Sequence, residues 1–315
     1  MVLRILSRES FGVLELCHIL DTGQPALSHH LKVLTGARLV ESRREGTSIY
    51  YRRALIASAD PIRDMRQALF DSVDSVTLDQ SQMARIRDVY EQRHNRAKAF
   101  FEKNAHRLRE NQDLIAEYPQ YEAAVQNLLT DETGKAHEFA VELGPGDSNL
   151  LIALSQRFNQ VIAIDNSSDM LDKAKHRIAD AERTNVTFLP GELADYQGQC
   201  QLLVLNMVLH HLAAPARLFQ EARERLTEGG RLLIADLCAH QEHWTRETCG
   251  DQWLGFDPQE LDNWAASAGL TEGQSVYLGL KNGFQVQIRI YHHTPQRVQH
   301  KPKTIDQKER EHDRL

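Results

Sequence analysis

The chain has 315 residues, of which 41% are hydrophobic and 26% are charged, and its formal net charge is −7. This length favours two domains, and the negative net charge means that any surface for nucleic acid has to be a local one. The four cysteines form no C-x-x-C pair, no apolar stretch approaches a membrane-spanning length, and no signal peptide is recognisable. The sequence therefore predicts a reduced, cytoplasmic protein with no membrane partner.

The first elements along the chain predict a helix-turn-helix. Residues 11–20 form a short amphipathic pattern, and Asp21-Thr22-Gly23 interrupts it. A second helix is predicted from Gln24, because Pro25 then stands in the first turn, where proline is tolerated.

A basic-tipped hairpin is predicted after the two helices. Residues 39–44 lead into a turn at Glu45-Gly46, and residues 49–53 return with two arginines. Helix, turn, helix and wing is the layout of winged-helix DNA binders. Together with the run Leu27-Ser28-His29-His30-Leu31-Lys32-Val33-Leu34, it resembles the ArsR-type transcriptional regulators over about residues 3–55.

The resemblance implies which side chains contact double-stranded DNA. In that family the second helix lies in the major groove, and the wing lies against the backbone or the minor groove. The implied base and phosphate contacts are Gln24, Ser28, His29 and Lys32 on the helix, and Arg43 and Arg44 on the wing. A solvated polar face is the alternative for each of them, and His30 is assigned to that alternative. Residues 1–60 hold eight Lys and Arg against six Asp and Glu, so the basic surface is local.

Two departures from the ArsR pattern concern metal binding and dimerisation. Many members bind metal through a cysteine pair in the helix before the turn, but Cys17 stands alone here, so no metal site is predicted. The family's first helix is expected to be missing or shortened. A homodimer would then depend on the helical stretch from Pro61 onward, with Ile62, Met65 and Leu69 at apolar positions.

The stretch from Val141 to Ser148 is the most informative part of the chain. Glu142 stands two residues before Gly144-Pro145-Gly146, after an apolar run, which predicts a strand that brings a nucleotide-like ligand to a helix N-terminus. The next apolar run ends in Asp165, about 20 residues further on, where doubly wound sheets place the carboxylate that binds ribose hydroxyls. A dinucleotide would require a third glycine where Asn149 stands. A cationic ligand such as S-adenosylmethionine fits better, with Glu142 near its ammonium group and the glycines close to it.

These residues resemble motif I of class I S-adenosylmethionine-dependent methyltransferases, and further motifs follow in that family's order. Gly191-Glu192 comes after a predicted strand and resembles the acidic loop that meets the adenine amino group. The run from Asn206 to Leu212 follows another strand and resembles motif IV of small-molecule methyltransferases, such as those of ubiquinone biosynthesis. The predicted cofactor-binding residues are Glu142, Gly144, Gly146, Asp165, Asn166, Met170, Glu192 and Asn206. A helix cap is the alternative role for Asp165 and its neighbours.

The remaining elements complete an α/β architecture. A helix from Leu218 to Leu226 is predicted to end at Glu228-Gly229-Gly230. Asn282-Gly283 joins two strand-like runs into an antiparallel hairpin. The predicted organisation is a winged helix-turn-helix (1–60), a helical dimerisation, connector and lid region (61–130), a doubly wound, Rossmann-like methyltransferase domain with an antiparallel C-terminal hairpin (131–294) and a disordered tail (295–315). Within the connector, residues 96–108 resemble the helical lid of small-molecule methyltransferases.

The sequence leaves two functions open. His210 and His211 follow the fourth strand, where an acceptor would approach the methyl group, so either could be a catalytic base; packing against the adenine or capping a helix is the alternative. One function is a transcriptional regulator that couples DNA binding to S-adenosylmethionine or S-adenosylhomocysteine. The other is an active methyltransferase of a small-molecule acceptor, with the winged helix as a targeting or dimerisation module.

Overall fold

The computed structural model describes residues 1–45, 48–57, 59–104, 108–130, 138–146 and 149–294. The tail expected to be disordered (295–315), the wing tip at Gly46 and the pair Asp147-Ser148 lie outside the described residues. No helix in the described ranges is long and apolar enough to cross a membrane.

The N-terminal part folds as the predicted winged helix-turn-helix. Its helices are α1 (Val2–Ile5), α2 (Val13–Leu20) and α3 (Gln24–Gly36), and its strands are β1 (Phe11–Gly12), β2 (Val40–Glu45) and β3 (Ser48–Arg53). The strands form an antiparallel sheet in the order β1-β3-β2. Asp21 adopts a left-handed conformation (φ 51°) after α2 and so turns the chain toward α3.

The structure corrects the predicted start of α2. The sequence predicts a helix from Phe11, but Phe11 and Gly12 pair with Tyr51 and Tyr50 of β3. The helix begins one residue after Gly12 because the Glu15 carboxylate accepts a hydrogen bond from the Gly12 N–H at 2.7 Å and caps the first turn.

Among the residues that the structure describes, four helical segments lie between the winged helix and the second domain. They are α4 (Arg63–Asp74), α5 (Gln80–Asn104), α6 (Leu108–Asp113) and α7 (Tyr118–Leu129). In α5, Val89 joins the buried core of the winged helix together with Leu16 and Leu27. Further along the same helix, the ring of Phe101 lies 4.9 Å from the ring of His211 in the second domain. One helix therefore contacts both parts of the molecule.

The second domain is built on a seven-stranded sheet in the order β6-β5-β4-β7-β8-β10-β9. Its strands are β4 (Phe139–Leu143), β5 (Gln160–Asp165), β6 (Val186–Pro190), β7 (Cys200–Asn206), β8 (Leu226–Leu237), β9 (Thr271–Gly279) and β10 (Gln285–His292). Strands β4 to β8 are parallel, whereas β10 is antiparallel to β8 and to β9. The predicted doubly wound sheet with an antiparallel C-terminal hairpin is confirmed.

Helices cover both faces of this sheet. They are α8 (Leu150–Arg157), α9 (Ser168–Asp180), α10 (Pro215–Arg225), α11 (Trp244–Thr248) and α12 (Pro258–Ser267). One buried cluster includes Leu154 of α8 and Leu202 of β7, and the other includes Phe219 of α10 and Leu203 of β7. Because β7 is buried on both faces, its residues form a continuous apolar run rather than an alternating one.

The prediction for Glu228-Gly229-Gly230 is wrong. The sequence predicts that this segment ends a helix, but α10 ends at Arg225 and β8 already begins at Leu226, which pairs with Cys200. The pairing register shifts between Cys200 and Leu202. The two glycines accommodate this irregularity within a strand, which is another place where glycine is favoured.

Candidate functional site

A cavity of about 850 Å³ lies at the carboxyl ends of β4, β5 and β7, the edge at which doubly wound sheets bind ligands. Nine residues singled out from the sequence line it: Gly144, Gly146, Asp165, Asn166, Met170, Glu192, Asn206, His210 and His211. Glu142 does not line the cavity, because its side chain is buried within the fold; its neighbour Leu143 does. The parallel strands thus bring segments that are distant in the chain to one edge.

The glycine turn after β4 lets the backbone approach the cavity closely. Gly144 has a φ of +65°, and a Cβ atom on it would lie 2.6 Å from the side chain of Val208. A larger residue at position 144 would be strained and would collide with the segment that follows β7.

Asp165 ends β5 with its carboxylate beside the cavity. Burial raises its pKa to about 6, although hydrogen bonds from the backbone N–H groups of Ser167 and Asn166 oppose the rise. The cap of α9 is Ser167, whose hydroxyl accepts the Met170 N–H at 3.4 Å. The helix-cap role that the sequence left open therefore falls to Ser167.

Glu142 is a buried carboxylate with no hydrogen-bond partner in the described part of the chain. The residue is fully buried, neither of its oxygens accepts a hydrogen bond, and burial raises its pKa well above the usual range. A buried carboxylate without a partner is costly. Because its side chain does not line the cavity, the structure does not place Glu142 beside the ammonium group that the sequence predicts it to bind.

His210 and His211 lie on one short turn after β7, Leu209–His211, and both lie near the Asp251 carboxylate, while His210 also pairs with Asp236. His210 Nδ1 lies 2.7 Å from Asp236 Oδ1 at the end of β8, and His210 Nε2 lies 3.6 Å from Asp251 Oδ1. His211 Nδ1 lies 3.8 Å from the same Asp251 oxygen. All four side chains are buried, so each strongly affects the charge of the others.

The surroundings separate the pKa values of the two histidines. Burial disfavours the charged form of His210, but the carboxylates of Asp236 and Asp251 outweigh it and raise the pKa of His210 to about 9. Burial and the charge of His210 lower the pKa of His211 well below its usual value. At neutral pH His210 is therefore the charged member of the pair and His211 the neutral one.

Several residues of the site were not assigned a role from the sequence. Tyr118 and Tyr121 of α7 line the cavity, and the Tyr121 hydroxyl donates to Asn206 Oδ1 at 3.0 Å. Asp236 and Asp251 complete the histidine cluster. Asp236 could have been found, because it ends the strand next to β7 at the ligand-binding edge. The tyrosines and Asp251 lie outside any motif, so no sequence pattern marked them.

Helix α5 forms part of the cavity wall. Its residues His94, Lys98 and Phe101 line the cavity and repeat at the spacing of one helix face. His94 Nδ1 lies 2.8 Å from the carboxylate of Glu192, in the loop after β6. Lys98 and Phe101 fall in the stretch that resembles a lid.

Arg93 of α5 joins the winged helix to the second domain. Its guanidinium is 2% exposed and donates two hydrogen bonds to the Glu15 carboxylate, at 2.9 and 2.6 Å. It also donates to the carbonyl of Ala213 at 3.1 Å, and Ala213 lines the cavity. The guanidinium lies 4.9 Å from the ring centroid of Trp253. A single buried cation is thus shared by the winged helix and the cavity wall.

Glu9 makes a second link between the two domains. Its carboxylate accepts the backbone N–H groups of Ala216 at 2.8 Å and Arg217 at 3.2 Å, at the start of α10. The winged helix therefore supplies a cap to a helix of the second domain. Burial raises the pKa of Glu9 to about 8, against the opposing effect of the Arg93 charge.

The wing packs on the second domain. Arg43 donates to the Gly255 carbonyl at 3.0 Å, and Arg52 forms an ion pair with Glu260 at 2.7 Å. Tyr50 packs edge-to-face on Trp253, with the ring centroids 5.5 Å apart. A contact of Arg43 with DNA stays a prediction, and it requires the wing to leave this position.

The recognition helix α3 is open to solvent on its polar side. Leu27 and Leu31 are buried in the core of the winged helix. The exposed side chains of α3 include Gln24, Ser28, His29, His30 and Lys32. Arg44 on the wing is exposed as well. The assignment of these residues to DNA stays a prediction.

The sheet order, the glycine turn after β4 and the carboxylate at the end of β5 together are typical of a class I methyltransferase fold that binds an S-adenosyl ligand. Residues 88–272 match the sequence model of a family described as a methyltransferase domain, and residues 1–42 match one described as bacterial regulatory protein, arsR family. The first match covers more than half of the chain, so the chain belongs to this methyltransferase family and carries an ArsR-family helix-turn-helix at its N-terminus. S-adenosylmethionine is the cofactor of this family.

Comparison with individual proteins agrees with the family. The carboxy-S-adenosyl-L-methionine synthase of Trichodesmium erythraeum is 32% identical over 103 residues, which are 30% of this chain and 41% of the relative. The trans-aconitate 2-methyltransferase of Afipia carboxidovorans is 29% identical over 130 residues, 41% of this chain and 44% of the relative. The chain spans about half the length of the curated relatives it matches. The solved structure of the [4+2]-cyclase SpnF shares the fold, with a TM-score of 0.51, 11% identity and coverage of 62% of this chain and 94% of that one.

Proposed function

We propose that this protein is a DNA-binding transcriptional regulator whose methyltransferase domain binds S-adenosylmethionine or S-adenosylhomocysteine and couples that ligand to DNA affinity. The observation that carries the proposal is helix α5, which contacts both the ligand cavity and the winged helix. A ligand changes DNA affinity only if it binds two conformations unequally. Because ligand-facing and winged-helix-facing residues lie on one helix, α5 provides a physical route for such a difference.

In this proposal the cavity residues bind different parts of the S-adenosyl ligand. Asp165 accepts the ribose hydroxyls, and Glu192 faces the adenine amino group. The glycine turn admits the ligand close to the backbone, whereas Glu142, which precedes this turn, does not line the cavity. The other predicted cofactor-binding residues, Asn166, Met170 and Asn206, form the walls.

The coupling depends on neighbouring residues of α5. His94 contacts the Glu192 loop, while the adjacent Arg93 binds Glu15 in the winged helix. A movement of α5 that closes the lid over a ligand therefore also changes the contacts of Arg93. The effect of ligand binding is thereby transmitted to the winged helix through α5.

The wing is the part of the winged helix on which the coupling would act. Arg43 and Arg52 are engaged by Gly255 and Glu260 of the methyltransferase domain. A wing in this position cannot also bind a DNA backbone, so DNA and the methyltransferase domain compete for it. Stronger docking lowers DNA affinity, and release of the wing raises it.

A homodimer is part of the proposal. Ile62, Met65 and Leu69 are 44%, 64% and 40% exposed and follow one face of α4 and the residue before it. An apolar stripe of this kind on a helix is suited to packing against a second copy. Pairing through it would present two copies of α3 to DNA half-sites about 34 Å apart.

The proposal is tested by fluorescence anisotropy on DNA from upstream of the protein's own gene, titrated separately with S-adenosylmethionine and S-adenosylhomocysteine. We expect one ligand to change the Kd for DNA by about 5- to 150-fold. Asp165→Ala should lose this shift and keep its ligand-free affinity for DNA, whereas Asp169→Ala, which alters an exposed carboxylate on α9, should keep both. Tight ligand binding without any change in DNA affinity would contradict the regulatory proposal.

A second candidate function is methyl transfer to a small-molecule acceptor. His211 lines the cavity, its Nε2 has no hydrogen-bond partner in the described structure, and Phe101 packs against its ring. Methyl transfer from a sulfonium is displacement at carbon, which needs alignment and, for some acceptors, a base. Lys98 in the cavity wall suits an acceptor with a carboxylate, and a relative is named for transfer to trans-aconitate. Release of S-adenosylhomocysteine with a panel of small carboxylic acids tests this function, and no turnover with any of them would argue against a carboxylate acceptor.

A further inference from the structure

The buried cluster of His210, His211 and Asp251 offers three potential metal ligands at the cavity wall. We propose that these side chains bind one divalent transition-metal ion, for which Zn²⁺ is the test ion. The sequence predicts no metal site, because Cys17 stands alone where many ArsR members have a cysteine pair. Here the ligands come from two segments that only the fold brings together. This metal site is independent of the proposed regulatory function.

The distances between the ligand atoms suit an ion. One ligand atom from each residue lies within 4.8 Å of the other two. Asp251 Oδ1 lies 3.6 Å from His210 Nε2 and 3.8 Å from His211 Nδ1. Bonds of about 2.0–2.2 Å to zinc separate its ligand atoms by roughly 3–4 Å. His210 and Asp251 therefore need only small rotations to bind one ion, whereas His211 Nδ1 must also give up its 3.4 Å contact with the Gly250 carbonyl oxygen.

Asp251 is the buried carboxylate among the three proposed ligands. The residue is 3% exposed, and neither carboxylate oxygen forms a hydrogen bond of normal geometry among the described residues. The two imidazole nitrogens are too far from it for direct hydrogen bonds. A buried carboxylate in this position is stabilised when a cation binds between it and the imidazoles.

A further carboxylate orients His210 for this role. Asp236 Oδ1 lies 2.7 Å from His210 Nδ1 and also accepts the Leu237 N–H at 2.7 Å. When Nδ1–H donates to a fixed carboxylate, the opposite nitrogen, Nε2, is left to bind a metal ion, as is usual for metal-bound histidines. Asp236 is thus a positioning residue rather than a ligand.

The proposed ion would be accessible from the cavity. His210 and His211 line the cavity, whereas Asp251 lies behind them. Two imidazoles and one carboxylate suit Zn²⁺ and Fe²⁺, and three protein ligands leave at least one coordination position free. That free position would take an oxygen atom of a carboxylate- or hydroxyl-bearing compound in the cavity.

The test is calorimetric titration of Zn²⁺ into the full chain after treatment with a chelator. We expect one equivalent to bind with a Kd below about 1 μM, which corresponds to about 8 kcal/mol. Asp236→Asn should weaken binding by about 10- to 100-fold, and Asp251→Asn and His211→Gln should weaken it more. His94→Gln, which removes an imidazole from another part of the same cavity, should leave the Kd unchanged.

A second readout separates loss of the site from loss of the fold. Co²⁺ added to the chelated wild-type chain should give the visible absorption of a four- or five-coordinate ion, and the variants should lose it while retaining the wild-type circular dichroism. Absence of stoichiometric Zn²⁺ binding to the wild-type chain would overturn the proposal. So would an unchanged Kd in both His211→Gln and Asp251→Asn.

Discussion

The recognition helix α3 and the wing belong to the same winged helix, yet they differ in what surrounds them. The polar side chains of α3 are exposed, whereas the wing is held against the methyltransferase domain through Arg43 and Arg52. Winged-helix proteins use both elements on DNA. In this structure α3 is exposed while the wing is held, so in the proposed mechanism a ligand would change DNA affinity by releasing or holding the wing.

The wing is held against the methyltransferase domain by a buried ion pair between Arg52 and Glu260. Glu260 is almost fully buried, and although burial raises its pKa, the Arg52 charge opposes that rise. If the wing departs, Glu260 loses its cationic partner and must be hydrated or protonated. In the proposed mechanism, binding to DNA or a ligand-induced movement of α5 would offset the free-energy cost of releasing the wing.

The largest effect is expected from removing the cation that the two regions share. Arg93→Met leaves Glu15 without its buried partner, so the free energy of unfolding should fall by about 3–5 kcal/mol. Urea unfolding followed by circular dichroism measures this. Arg96→Met is the matched control, because Arg96 is exposed and lies 3.9 Å from the same carboxylate; its effect should stay below about 1 kcal/mol. Equal effects of the two substitutions would show that Arg93 has no special role in joining the domains.

A pH dependence of domain docking is expected from Glu9. Its pKa is about 8 in the docked structure against a usual 4.5, so between these values the docked state holds a proton that the separated state has lost. Docking is therefore strongest below about pH 4.5 and weakens as the pH rises to about 8. The charged groups that face Glu9 are Arg93 and Glu260, and Tyr90 is nearby.

Glu9→Gln tests this dependence. The variant keeps an oxygen for the Ala216 N–H but cannot titrate. Stability to urea should fall with rising pH over this interval in the wild type, and the difference between the two proteins should isolate the contribution of Glu9. Parallel pH profiles would count against the raised pKa.

A smaller effect is expected at the ligand site. Asp165→Asn replaces a charged acceptor by a neutral one, and a hydrogen bond to a charged group contributes about 1.5–3 kcal/mol, so the Kd for S-adenosylhomocysteine should rise by about 10- to 100-fold. Calorimetry measures it, with Asp169→Asn as the control on an exposed carboxylate. If the ligand acts through the wing, Asp165→Asn should also abolish the effect of ligand on DNA binding. An unchanged Kd would show that Asp165 does not bind the ribose hydroxyls of the ligand.

Local sequence patterns were sufficient to predict the two folds and nine of the residues that line the cavity. The apolar runs give the strands of the sheet, and because parallel strands end at the same edge, motifs after β4, β5 and β7 had to converge there. His210 and His211, which follow β7, line the cavity for the same reason. Family resemblance then supplied the identity of the ligand.

The parts that sequence could not supply are contacts between distant segments. Arg43 meets Gly255, and Asp251 meets His210, only because the two domains and the loop after β8 pack as they do. Neither contact has a periodicity or spacing that a pattern could reveal. The false helix end at Gly229 has a related cause, since a glycine pair serves a strand irregularity as well as a helix terminus. The contact of the wing with the methyltransferase domain and the position of Asp251 beside both histidines could therefore be found only from the structure.

The smallest predicted effect separates the two roles of the wing. Arg44 is exposed, so Arg44→Ala should remove one phosphate contact, weaken DNA binding uniformly and lower the slope of log Kd against log salt by about 1. Arg43→Ala removes a DNA contact as well, but it also removes the hydrogen bond to Gly255 that holds the wing away from DNA. Its net effect on DNA affinity should therefore be smaller than that of Arg44→Ala.

Lys32→Ala on α3 should weaken DNA binding equally with and without ligand, because α3 does not contact the methyltransferase domain through its exposed polar side. Anisotropy titrations at several salt concentrations measure all three, and a larger loss in Arg43→Ala than in Arg44→Ala would show that docking and DNA do not compete for the wing.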